Sequence, residues 1–82
     1  MHRIYFDTNN SAEPGRYVLH VAGSVADIEP IADQLRDGLR VVIYMTGELE
    51  LEATLEFDPT WNAWTAREVP GTLRYYDEAP DA

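Results

Sequence analysis

The chain has 82 residues, no cysteine, and 15 acids against six bases, for a net charge of −9. That length fits one domain, and the missing cysteines exclude disulfides, thiolate zinc sites and cysteine nucleophiles. All six bases are arginines, dispersed at positions 3, 16, 36, 40, 67 and 74, so no basic stripe in the sequence offers itself to DNA, RNA or anionic lipid.

A domain this small buries only about 60–65% of its unfolded surface, so its core is thin and leans on aromatic burial. Two Trp, five Tyr and two Phe meet that need. Apolar runs fall well short of the ~20 residues that span a bilayer, and MHRIYFDTNN has no leader-like apolar run; the expected compartment is the cytoplasm.

In chain order, His2 to Phe6 alternates and predicts a first strand, with Ile4 and Phe6 on one face. DTNNSAEPG, residues 7–15, is dense in turn formers and predicts a loop. Arg16 to Ala22 predicts a second strand. Ile28, Ile31, Ala32 and Leu35 then recur at helical spacing and predict one short helix, about 28–37. In that helix Asp27 is the N-cap, Pro30 lies in the first turn and Gly38 closes the C-terminus.

Leu39 to Thr46 predicts a strand with Leu39, Val41, Ile43 and Met45 on its core face. The following stretch, GELELEATLEFD, puts Leu49, Leu51, Ala53, Leu55 and Phe57 on one parity and Glu48, Glu50, Glu52, Thr54 and Glu56 on the other. A two-residue Gly47-Glu48 turn would set Met45 opposite Glu50 and mix acids into the core face. An odd loop avoids this, and a Gly47–Leu49 loop pairs Met45 with Leu51, Ile43 with Ala53 and Arg40 with Glu56. Asp58-Pro59-Thr60 predicts a turn, Trp61 to Glu68 a strand, Pro70-Gly71 a turn and Thr72 to Tyr76 the last strand. The domain therefore covers 1–76, and DEAPDA, 77–82, is expected to be a disordered tail.

Five or six short strands with frequent turns predict a small, mainly antiparallel β-barrel or curled sheet, because closure removes exposed edges. Three pieces of Leu35 to Tyr76 carry a family resemblance. Leu35-Arg36-Asp37-Gly38-Leu39-Arg40-Val41 follows an L-x-x-G-x-x-V pattern at the entry to a central strand. Trp64-Thr65-Ala66-Arg67 reads W-x-A-R, and Pro70-Gly71 precedes a short closing strand. Together they resemble the body of a Src-homology-3-like barrel, which implies a fold rather than an activity. Peptide-binding members carry a doubled tryptophan; here Ala63 precedes Trp64, so the resemblance does not imply binding of proline-rich peptides.

The glutamate row raises the functional question. Same-face residues lie ~6.5–7 Å apart along a strand, too far to share one proton strongly, and a straight row does not converge on a metal ion. It reads either as a solvated face or as a surface for a basic partner. His2 and His20 are the only histidines, and Ser11 and Ser24 lack a nucleophile-elbow context, so catalysis is not expected. The expected function is a non-catalytic protein-interaction module using Glu48, Glu50, Glu52 and Glu56 together with Trp61 and Tyr76, with a protein partner, basic in character, and no cofactor or metal. The alternatives are an acidic inhibitor imitating nucleic acid, and a small metal-binding or enzyme-associated subunit.

Overall fold

A computed structural model of the chain describes residues 1–76; the tail expected at 77–82 lies outside the described residues. Three consecutive strands form the centre of the fold, where the alternation is cleanest. These are β4 (Arg40–Met45), β5 (Leu49–Asp58) and β6 (Ala63–Glu68), paired antiparallel. The leucine parity of β5 faces inward. Leu51, Ala53 and Leu55 are buried beside Val41 and Ile43 of β4 and Ala66 of β6.

The β4–β5 loop is odd, as the parity argument requires, but it is Thr46-Gly47-Glu48. Met45 pairs with Leu49, Ile43 with Leu51 and Arg40 with Thr54, two residues away from the expected register. Gly47 takes φ +73° and the Glu48 N–H bonds the Met45 carbonyl at 3.0 Å, so a three-residue loop closes on the one glycine. This register keeps Leu49 in the ladder instead of spending it in the loop.

The expected 7–15 loop holds one arm of a hairpin, β2 (Ser11–Glu13), which turns at Pro14-Gly15, where Gly15 has φ +81°, into β3 (Arg16–Val18). The Asp7 carboxylate accepts the Asn9 N–H at 2.9 Å and turns the chain into it. β3 ends at Val18, short of the expected Ala22, although the Leu19 N–H still bonds the Trp64 carbonyl. β6 starts at Ala63 rather than Trp61, because the Asp58 carboxylate captures the Thr60 N–H and folds 59–62 into a turn.

The helix is corrected more substantially. α1 covers Ala22–Ile28, and Glu29–Gln34 continues as a 3-10 helix. Pro30 has no N–H for the next α-helical bond, so the α-helix stops where proline forces it to. Ile28, Ile31 and Leu35 do pack against the core, as their spacing indicated. Gly38, φ +89°, serves a separate turn closed by the Leu39 N–H on the Arg36 carbonyl. Asp27 is not a cap. One oxygen of its carboxylate accepts both the Tyr5 N–H (2.9 Å) and the Tyr44 hydroxyl (2.6 Å).

That contact explains why the sheet stays open. β1 (Arg3–Tyr5) runs parallel to β4, with Ile4 beside Ile43. The outward backbone groups of Tyr5 are already taken, the N–H by Asp27 and the carbonyl by the Ser24 hydroxyl. Helix side chains thus occupy the edge on which a barrel would close. The strand order is β1-β4-β5-β6-β3-β2, with β7 (Arg74–Tyr75) on β5: seven strands in one sheet that is not closed, against the expected five or six in a small barrel or curled sheet. The sheet still curls. The Phe6 and Tyr17 rings, from near opposite ends of that order, meet at 4.9 Å.

β7 pairs with the first half of β5 on the same edge that β6 uses for the second half. Between the pairs Ala53–Glu68 and Glu50–Arg74, β5 advances three residues and the returning chain six. The surplus forms a bulge around Pro70-Gly71. Thr72 fastens it: its hydroxyl accepts the Glu52 N–H at 3.0 Å and donates to the Val69 carbonyl at 2.7 Å. No helix among the described residues is long and apolar enough to cross a membrane.

Candidate functional site

The sheet has two faces, and the structure assigns the acids unequally to them. On the polar face, arginines from neighbouring strands interleave with the glutamate row. Glu50 is bracketed by Arg3 (2.9 Å) and Arg74 (2.7 Å), and Tyr76 donates its hydroxyl at 2.8 Å. Glu52 pairs with Arg40 at 2.5 Å, and Glu56 with Arg67 at 2.9 Å. Arg67 also reaches Glu13 at 3.1 Å, and Arg16 reaches Asp58 at 3.2 Å.

Five acids are thus matched by five arginines on one face. The net −9 is carried by the ten other acids and Arg36. Arg40, expected opposite Glu56, reaches Glu52, the neighbour of its actual cross-strand partner. The chemistry of the row follows from this pairing. Hydrogen bonds from Arg74, then Arg3, then Tyr76 hold the Glu50 carboxyl down at about 2. Arg67 likewise lowers Glu56. Asp58 is lowered first by the Thr60 N–H and then by Arg16. Carboxylates held this firmly as anions are poor proton donors near neutral pH.

The residues expected to form one patch are brought together only in part: Glu48, Glu50 and Tyr76 are neighbours, and Trp61 is remote from them. Glu48 is exposed at the β4–β5 loop, with Tyr76 beside it through a 2.9 Å backbone bond. Trp61 lies past the far end of β5, roughly 30 Å away at ~3.4 Å per strand residue. There it stands 47% exposed, its ring at 5.7 Å from that of His20. Tyr76 is half-buried and its hydroxyl is engaged by Arg3 and Glu50, so it offers little free aromatic surface. The two histidines have different partners: His2 bonds the Gln34 side chain at 3.0 Å. Among the described residues no group of three or more His, Cys, Asp or Glu is placed to hold a metal ion.

A concavity lies on the other face, beside the bulge. It is a groove of about 450 Å³ between the start of β5, the Phe6–Tyr17 contact and the Pro70-Gly71 bulge. Leu49, Leu51, Val69, Leu73 and Tyr75 line it, and Leu73 and Tyr75 are 49% and 72% exposed. Glu68 stands on its wall and accepts the Tyr17 hydroxyl at a long 3.4 Å. Burial, then the Glu68 charge, raises the Tyr17 phenol above its usual pKa. Among the described residues Glu68 makes no ion pair, unlike the strand glutamates behind it.

Sequence reasoning missed this groove. The available signal was Val69, Leu73 and Tyr75 flanking a Pro-Gly turn, more apolar surface than a solvent turn needs. No protein-family model matches this chain, and neither a curated protein nor a solved structure was found to be similar to it.

Proposed function

We propose that the chain is a non-catalytic protein-interaction module, and that its partner seats in the groove beside Pro70-Gly71. The observation that carries this reading is the groove itself. Scattered apolar side chains on a surface are ordinary, but Leu73 and Tyr75 stand together on the rim of an apolar concavity in the size range of ligand sites. The glutamates of the polar face serve the fold in this reading, tying β1, β4, β6 and β7 to β5 through arginine.

Imitation of nucleic acid has less support, since Glu50, Glu52 and Glu56 of the regularly spaced row are each neutralised by an arginine. A finer structural reading accompanies the proposal: Leu35 to Tyr76 forms a Src-homology-3-like body. It is supported by the turn at Gly38 opening into β4 and by Trp64 packing on the core.

The test is affinity capture from the native cell at low and high salt, with the wild type, Leu73→Ser and Glu56→Gln side by side. A partner held by the wild type and by E56Q but lost with L73S supports the groove. Retention of nothing at either salt, or equal retention by L73S, overturns it.

A further inference from the structure

We infer that the groove takes an extended segment in which an arginine stands two residues from an apolar residue, on the same side of that segment, the guanidinium seated on Glu68 and the apolar side chain on Leu73. The inference rests on the interaction reading above and adds the chemistry of the partner.

Three observations point to a cation. Glu68 is the carboxylate on the groove wall, and no arginine among the described residues neutralises it, whereas the glutamates of β5 within the sheet are all spoken for. Its stem lies beside Gly15, with its carboxyl carbon 3.5 Å from where a Cβ on that glycine would sit. The charge therefore stands exposed on the groove wall, open to an incoming cation. Tyr75, 72% exposed on the same rim, adds an aromatic face on which a guanidinium stacks.

The other occupants fit less well. A second copy brings net charge −9 to meet −9. The chain's own residues 77–82 carry three acids and no base, so they offer nothing to pair with Glu68.

The probe is a set of capped synthetic peptides with serine at the even positions and, at successive odd positions, leucine with arginine, leucine with glutamine or leucine with glutamate (Leu-Arg, Leu-Gln and Leu-Glu), titrated by calorimetry into the full chain. The Leu-Arg peptide is expected to bind at least about tenfold more tightly than Leu-Gln, to weaken as salt rises, and Leu-Glu to show no binding. Glu68→Gln should cost about tenfold in Leu-Arg affinity and leave Leu-Gln unchanged. Asp33→Asn removes the same charge from the 3-10 helix and should change affinity by less than about twofold. Equal losses from E68Q and D33N would mean diffuse attraction and overturn the inference. So would equal binding of Leu-Gln, absence of Leu-Arg binding, or a dimer in sedimentation that L73S dissolves. Loss of binding in L73S with E68Q unaffected removes the arginine and leaves the groove standing, which separates the two claims.

Discussion

Asp27→Ala should be far more damaging than the loss of a helix cap. In the structure one Asp27 oxygen satisfies two donors, the outward N–H of Tyr5 and the Tyr44 hydroxyl, and so ties α1 to β1 and β4. Hydrogen bonds to a charged acceptor contribute about 1.5–3 kcal/mol each, and the half-buried site reduces that, so losing both costs ~2–4 kcal/mol. For a domain this size that lowers Tm by roughly 10–25 °C. A lost N-cap costs only ~1 kcal/mol, or about 4–8 °C. Asp27→Asn discriminates further. Both donors converge on one oxygen, which an amide oxygen replaces, so D27N should lose under ~1 kcal/mol. The assay is thermal melting followed by circular dichroism. A second readout is the Tyr44 phenol, held above its usual pKa chiefly by the Asp27 hydrogen bond and expected to fall back in D27A. If D27A melts within a few degrees of the wild type, or D27N is as harmful as D27A, the edge-capping account is wrong.

Two other predictions concern Glu50 and Gly23. The Glu50 carboxyl is lowered from 4.5 to about 2, so its stabilisation is complete above about 4.5 and is lost as pH falls toward about 2. Glu50→Gln should flatten the acid limb of stability between those values, as read by melting across a pH series; an unchanged acid limb would contradict the network. Gly23 lies in α1, where alanine would ordinarily help by up to ~1 kcal/mol. Here a Cβ would meet the Tyr5 ring at 2.8 Å, close to that side chain's root, so Gly23→Ala should lower Tm, and a raised Tm would show that Tyr5 moves freely.

Much of the fold was legible where the pattern was periodic. The leucine parity of β5 named the core face and excluded the two-residue turn, because a one-residue slip would have buried Glu50 and Glu52. It did not distinguish two odd loops, since a shift of two residues leaves every side chain on its face. The helix was read six residues late at its start. Ile28, Ile31 and Leu35 share a buried side whether the chain is α-helical or 3-10, and only Pro30 marks the change. The hairpin at Ser11–Val18 was hidden by the turn formers that lead into it, Asp7 to Asn10, and by those of its own turn, Pro14-Gly15.

The site was less legible than the fold. Glutamates stood out in one dimension, but their arginines come from β1, β4, β6 and β7, and sequence distance conceals that pairing. The groove arises because two stretches share one edge of β5 with a surplus between them, a property of register that no local pattern displays.

The central claim is that partners engage the groove face and leave the arginine–glutamate face untouched. Amide chemical-shift mapping of the full chain with the Leu-Arg peptide tests it most directly. The account predicts shifts confined to residues around Leu49, Glu68, Val69, Leu73 and Tyr75, with Arg40, Glu56 and Asp58 unmoved. Shifts centred on Glu52, Glu56 and Trp61, with the groove silent, would contradict it.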